Sequence, residues 1–230
     1  PPVPSTFQAR ARNTMRNGLS SALMRPYFPY YRTHRPHSFV LESAAWCWKL
    51  LMGQREAERS AATWEAVKGQ PYFPLPLQLN SDYQIRVHSP FGDMRAALRF
   101  VIKSFAEHAP QGVALLVKRH PLDPGLVGWE RLTRKLAAHY GVGERVHYLS
   151  DWDIAQVVQT SLGVVTVNST VGTLALNGAK PVVVLGHAVY KVPGIVHHTS
   201  LDSFWGAPRR PDMTLYSAFR RVLEDRCLIR

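Results

Sequence analysis

Between Leu162 and Gly186 the chain has room for little but a strand, a turn, a short helix and a second strand. Gly163-Val164-Val165-Thr166-Val167 is a β-branched run of the kind that fills a buried parallel strand, and it stops at Asn168-Ser169-Thr170. Val171 to Asn177 is compact and mostly small, Gly178 suits a helix C-cap, and Pro181-Val182-Val183-Val184-Leu185 reads as the next strand. A strand that feeds directly into a helix N-terminus aims free N–H groups and the positive end of the helix dipole at one place, which suits a phosphate. Asn168 and Ser169 would serve equally as plain helix caps, so the tripeptide alone leaves both roles open.

The rest of the chain repeats the alternation. Residues 1 to 24 form a weak amphipathic pattern, and Arg25 to Pro36 is an aromatic, basic loop punctuated by three prolines. Phe39 to Lys68 has helical periodicity, with Ala44, Trp46, Cys47, Leu50, Leu51, Trp64 and Val67 on a broad apolar face and Gly53 as the point where it could break. Composition shifts at Tyr72. From there strands are expected at Phe73 to Leu79, Gly112 to Val117 and Arg145 to Leu149, with helices at Asp93 to His108, Pro124 to Tyr140, Asp151 to Gln159 and Pro211 to Leu228. The prolines of the first strand place it at a sheet edge or domain boundary.

Five short strands linked by helices imply an α/β fold, a doubly wound parallel sheet of Rossmann-like type over 72–230, with 1–71 as a helical extension. Ligands in such sheets bind beyond the carboxyl ends of the strands. The residues expected there are Gln78, Asn80 and Asp82, then Lys118, Arg119 and His120, then Ser150 and Asp151, then Asn168, Ser169 and Thr170, then Gly186 to Lys191 with Tyr190.

Charge and missing motifs narrow the chemistry. Twenty-eight Lys and Arg against 16 acidic residues give a net charge of +12, which favours an anionic partner or else a solvated basic face. No run of about 18 apolar residues is present, so no spanning helix is expected, and Pro-Pro-Val-Pro at the start carries no signal-peptide pattern. Cys47 and Cys227 lie far apart without metal-type spacing, which fits a reducing compartment. The glycine fingerprints of dinucleotide and P-loop proteins are absent, as are the zinc-hydrolase, thiol-redox and serine-hydrolase motifs. His197-His198 is an adjacent pair whose side chains diverge, and it is read as no metal site; no metal and no cofactor are expected.

Lys118-Arg119-His120-Pro121 at a strand end resembles the His-Pro motif of bacterial sialyltransferases and related enzymes that use CMP-activated acidic sugars, in which a serine or threonine pair, matched by Ser169 and Thr170, grips the CMP phosphate. Gln78-Leu79-Asn80-Ser81-Asp82 resembles the Gln-x-x-x-Asp element of the capsular polysaccharide biosynthesis family, whose characterised members are β-Kdo transferases. That family's Tyr-Tyr-Arg-x-His-Arg-Pro and Gly-x-Ala-x-Tyr-x-x-Pro-Gly stretches are matched at 30–36 and 186–194. The resemblance implies one half of a GT-B glycosyltransferase binding CMP-Kdo, with an anionic lipid or glycolipid acceptor, peripheral on the cytoplasmic side of a Gram-negative inner membrane beside other capsule assembly proteins. A full GT-B enzyme needs two such domains and one is visible, so 1–71 is expected to be a remnant or tail of the acceptor domain. By the same resemblance Asp82 is the nucleophile of a retaining transfer and His120 the group holding the donor's carboxylate or phosphate. Gln78, Asn80, Lys118, Arg119, Asn168, Ser169, Thr170, Tyr190 and Lys191 would bind substrate. Three other readings stay open: another nucleotide-sugar transferase, sialyl or heptosyl; a non-catalytic basic scaffold on acidic lipid; and a single-strand nucleic-acid binder, which the scattered cations disfavour, so no nucleic acid is expected.

Overall fold

The computed structural model describes residues 16, 20, 23, 24, 26–28, 30 and 39–226. Most of the amphipathic pattern of residues 1 to 24, most of the match at 30–36, and Cys227 lie outside the described residues. Glu56–Pro121 and the chain from Gly128 onward form one compact unit, and the described residues up to Arg55 with Leu122–Val127 form another. In the latter, Lys49 Nζ donates to Asp123 O at 2.9 Å and Gly125 N–H to Asp123 Oδ1 at 2.7 Å.

Helix α1 spans Phe39–Val67 without a break at Gly53, and its last turns, from Glu56, belong to the larger unit. There follow β1 (Tyr72–Pro76), α2 (Tyr83–Arg86), α3 (Met94–His108), β2 (Ala114–Lys118) and α4 (Trp129–His139). Then come β3 (Val146–Leu149), α5 (Ile154–Gln159), β4 (Val164–Thr166), α6 (Val171–Asn177), β5 (Val182–Val184), α7 (Leu201–Gly206) and α8 (Met213–Arg226). All pairings are parallel, in two ladders ordered β1-β2-β3 and β4-β5.

The prolines of β1 explain why there are two ladders. Ala114 N–H donates to Pro71 O at 2.9 Å and Leu77 N–H to Lys118 O at 2.8 Å, so odd-numbered residues of this segment face β2. Even-numbered residues face β4, where Leu162 N–H donates to Tyr72 O at 3.0 Å. Pro74 and Pro76 fall on that side with no N–H to give, so β4 lies beside β1 without a continuous ladder. The spatial order β3-β2-β1-β4-β5 is the doubly wound α/β arrangement, with its switch point between β1 and β4.

Both faces of the sheet are covered. Tyr72, Ala114, Leu116 and Leu149 pack with Trp64 and Val67 of α1 and Val157 of α5. On the other face, Phe73 meets Phe204 and Trp205, each at 5.3 Å between ring centroids, and Trp205 meets Phe105 at 5.3 Å while its Nε1 donates to Ser104 Oγ at 2.8 Å. Around β4 and β5, Val164, Val182 and Val184 pack with Ala175, Leu176, Tyr190 and Tyr216.

Two helices start later than the periodicity predicts. Helix α4 begins at Trp129 rather than Pro124, because Gly125 and Gly128 take left-handed conformations at φ 88° and 65°. Helix α5 begins at Ile154 with Asp153, not Asp151, as its cap, because the N–H groups of Ser150 and Asp151 donate to Ser60 Oγ instead. The short helices α2 and α7 have too few residues to show periodicity.

Phe73 is fully buried at the junction of β1, α3 and α7. Phe73→Ala is expected to lower unfolding stability by about 3–5 kcal/mol, read as an earlier urea midpoint.

Candidate functional site

The turn from β4 to α6 is tied to the segments that follow two other strands, β1 and β5. Asn168 N–H donates to Gln78 Oε1 at 2.8 Å, and Asn168 Nδ2 donates to the carbonyls of Gln84 at 2.8 Å and His88 at 2.7 Å. His187 N–H donates to the same His88 carbonyl at 3.1 Å, and Lys191 Nζ to Gly186 O at 2.9 Å. Gly186 is required here: a Cβ on it would lie 2.4 Å from Asn168 Oδ1. Gly172 is required for the same kind of reason, since its Cβ would lie 2.2 Å from the Tyr190 hydroxyl, which donates to Ser169 O. Burial pushes the Tyr190 hydroxyl well above its ordinary pKa, so it stays a neutral donor.

These contacts frame a cleft of about 470 Å³ beyond the carboxyl ends of β4 and β5, lined by Gln84, His88, Asn168, Thr170, His187 and Tyr190 among others. Gln84 and His88 come from the segment after β1, so the cleft sits at the switch point between β1 and β4. Among the described residues, no carboxylate, lysine or arginine lines it.

The turn differs from expectation in one respect. Its amides are not free: Ser169 N–H donates to Thr166 Oγ1, Val171 N–H to Ser169 Oγ, Gly172 N–H to Ser169 O, and the Thr173 and Leu174 N–H groups to Thr170 O. Side chains, above all the exposed Thr170, therefore face the cleft rather than a row of open N–H groups.

Lys118 and Arg119 are not part of that lining. Both are buried; Lys118 Nζ donates to Arg119 O at 3.0 Å and Ser150 O at 3.4 Å, and Arg119 pairs with Glu56 of α1, NH2 to Oε2 at 2.5 Å. Burial pulls Lys118 down to about 8, partly opposed by the charge of Asp151. Ser150 Oγ lies 2.8 Å from Ser60 Oγ. His120 is half-buried next to Arg119 in sequence and is likewise outside the lining.

Asn80 and Asp82 each cap a helix. Asn80 Oδ1 accepts from Met94 N–H at 2.9 Å at the start of α3, and Asp82 Oδ1 accepts from Gln84 N–H at 3.0 Å at the start of α2. The structure thus brings Gln78, Asn168, Ser169, Thr170, Tyr190 and Lys191 to one place, sets Asp82 two residues from the cleft-lining Gln84, and holds Lys118 and Arg119 in a separate buried network. Gln84, His88, Glu56 and Ser60 were not singled out by sequence. Glu56 and Ser60 share the i, i+4 face of α1 with Trp64, a pattern that places polar groups in register with a core residue.

The order of the strands and a cleft at their switch point make this a Rossmann-like α/β protein. The chain belongs to the capsule polysaccharide biosynthesis protein family, whose model matches residues 1–230. It is 34% identical over 223 residues to the Escherichia coli capsule polysaccharide export protein KpsS, covering 96% of this chain and 57% of that protein. It is equally, 34%, identical to the Neisseria meningitidis capsule polysaccharide modification protein LipB, covering 95% of this chain and 53% of that one. The chain therefore spans about half the length of the curated relatives it matches. Among solved structures, Thermosulfurimonas dismutans KpsC, a beta Kdo 2,7 transferase, aligns with TM-score 0.40 and 22% identity over 61% of this chain and 45% of that one. Anabaena HepE, solved with UDP-glucose, aligns with TM-score 0.42 and 18% identity over 77% and 43%.

Two measurements test this geometry. Gly186→Ala should destabilise by about 1–3 kcal/mol, and much of that loss should disappear in an Asn168→Ala background, read as a coupling energy in a double-mutant cycle. Lys118 binds its proton less tightly folded than unfolded, so its contribution to stability rises with pH between about 8 and 10.5. The stability difference between wild type and Lys118→Met should therefore shift in favour of wild type across that window, by up to about 3 kcal/mol, in pH-dependent urea unfolding.

Proposed function

We propose that the protein is a glycosyltransferase that moves Kdo from CMP-Kdo to a lipid or glycan acceptor in surface polysaccharide synthesis. It would work peripherally on the inner membrane with other capsule assembly proteins. The observation that carries the reading is the switch-point cleft in a chain of this family, flanked by the Gln-x-x-x-Asp and Gly-x-Ala-x-Tyr-x-x-Pro-Gly stretches. In this reading 72–230 is the donor domain and 1–71 belongs to the acceptor side.

The cleft is lined by neutral polar groups and two histidines together with Ala188 and Val189, which suits a ligand with both an apolar face and hydrogen-bonding groups. Thr170 and Ser169 would contact the CMP phosphate. His120 would hold the donor's carboxylate or phosphate, and Lys118, Arg119 and Lys191 would add positive charge; Arg119 does so only if an incoming anion competes with Glu56 for it. Asp82 keeps Oδ1 on the α2 cap, while Oδ2 takes no hydrogen bond among the described residues and is available for chemistry. Asp82 would attack the anomeric carbon as the C–O bond to CMP breaks and CMP departs with the electron pair. The acceptor hydroxyl, losing its proton, would then displace Asp82, and two inversions give retention.

The test is calorimetric titration of CMP, with UDP and ADP as controls, into wild type, His120→Ala and Asp82→Ala, together with a transfer assay. Selective CMP binding, weakened about tenfold or more by His120→Ala, and transfer abolished by Asp82→Ala with CMP binding kept, are expected. Equal binding of UDP or ADP would move the reading to another nucleotide-sugar donor. Transfer surviving in Asp82→Ala would remove the nucleophile.

A further inference from the structure

Glu56, Ser60 and Trp64 lie at i, i+4 and i+8 on one face of the last turns of α1. Trp64 anchors that face in the core, edge-on to Tyr72 with ring centroids 6.1 Å apart and stacked on Trp152 at 5.6 Å. The two polar groups of the face both go to strand ends. Glu56 takes the Arg119 guanidinium as a fork, Nη1 to Oε1 at 3.3 Å and Nη2 to Oε2 at 2.5 Å. Ser60 Oγ accepts the N–H groups of Ser150 and Asp151, each at 3.2 Å. With Ser150 Oγ donating to Glu56 O at 3.3 Å, the hydroxyl of the buried Ser60 is the donor in the 2.8 Å contact between the two serines, so Ser60 has its one donor and both acceptor sites filled. Lys118 Nζ closes the network, donating to Arg119 O at 3.0 Å and to Ser150 O at 3.4 Å.

The residue this network encloses is the one before His120. Arg119 is held at its N–H by Leu149 O at 2.8 Å, at its carbonyl by Lys118, and at its guanidinium by Glu56. Pro121 follows His120, and a proline keeps the residue before it in extended conformations. His120 therefore stands between a residue tethered at three points and a ring that restricts its own backbone. Stability alone does not call for this arrangement. A buried ion pair gains little over well-packed apolar side chains, and burial pulls Lys118 down to about 8, a sign of how poorly that charge is solvated. What a fully bonded polar network does supply is one geometry, since a shift of any member leaves a buried donor or charge unmatched.

We propose that Glu56 and Ser60 are positioning residues for the ligand edge: they hold Arg119 and the turn after β3, and through them set His120 for the anionic group of the donor. Neither residue touches the ligand. The inference rests on the proposed function for what His120 does, and on the network alone for where His120 stands.

The test uses the full chain and the variants Glu56→Gln, Ser60→Ala and His120→Ala, with folding checked by urea unfolding. In calorimetric titration, Glu56→Gln should weaken CMP binding about tenfold, and cost little further when His120 is already alanine. Ser60→Ala keeps every charge and should act in the same direction; it also carries the test if Glu56→Gln does not fold. The second readout needs no nucleotide. In histidine-ring NMR spectra the His120 signal, identified by its loss in His120→Ala, should move in both Glu56→Gln and Ser60→Ala, while the signal of His197, which packs on Phe204, stays. A His120 signal that stays in place in Ser60→Ala overturns the proposal. So does CMP binding that is unchanged in both variants, or that falls equally with and without the His120 ring, which describes a general loosening. CMP binding that tightens in Glu56→Gln overturns it as well, because Glu56 then competes with the ligand for Arg119. Absent CMP binding in wild type, with the His120 signal displaced by both variants, defeats the donor reading and leaves the positioning of His120 standing.

Discussion

One side-chain amide organises the ligand edge of this protein. Asn168 ends β4, and its Nδ2 reaches two carbonyls in the segment after β1, those of Gln84 and His88, while its own N–H is taken by Gln78. Loops at strand ends have no ladder to hold them, so without such a clamp the segments after β1, β4 and β5 would move independently. The clamp demands room, which explains Gly186: a side chain there would overlap the Asn168 amide. Tyr190 and Gly172 repeat the device one turn away, with a buried hydroxyl fixed to Ser169 O and a glycine clearing its path. The cleft is thus built by two polar tethers, each paired with a glycine.

The position of the cleft follows from backbone chemistry further upstream. Pro74 and Pro76 both turn toward β4, where each lacks the N–H that a parallel ladder needs. The sheet divides there without opening, since β1 and β4 stay adjacent and the buried faces of both ladders remain covered. The same line is where the strand order reverses direction, and a reversal leaves diverging loops on either side of a crevice. A pair of prolines that would be costly in a central strand is tolerated here because the interruption coincides with that reversal.

Much of the fold could be read from the chain. Helix α6 falls at Val171–Asn177 as its small residues and Gly178 predict, all five strands occur within a few residues of where the sequence places them, and the edge character inferred from the prolines of β1 has a structural basis. What escaped was set by distant partners. Ser60 captures the N–H groups of Ser150 and Asp151 from ninety and ninety-one residues away, which delays α5, and nothing local to Asp151 announces it. Within the site, Asn168, Thr170 and Tyr190 line the cleft, whereas the free amides inferred from the strand-to-helix junction are closed by hydroxyls and carbonyls of the same turn. A junction sequence specifies that a turn forms; whether its N–H groups point outward or are satisfied within depends on the spacing of a few hydroxyl groups, here Thr166 and Ser169.

The distribution of charge bears on how a net +12 should be interpreted. Among the described residues, the walls of the cleft carry neither lysine nor arginine. Of the two cations at the end of β2, Arg119 is matched by Glu56, and Lys118 is desolvated to the point that its proton is held weakly. Positive charge near the strand ends is therefore either compensated or costly, and neither state draws an anion from a distance. By sequence the surplus is densest in residues 1–55, which hold eight basic residues and one carboxylate. In the function proposed above, the cleft would therefore select its ligand by shape and hydrogen bonds more than by charge.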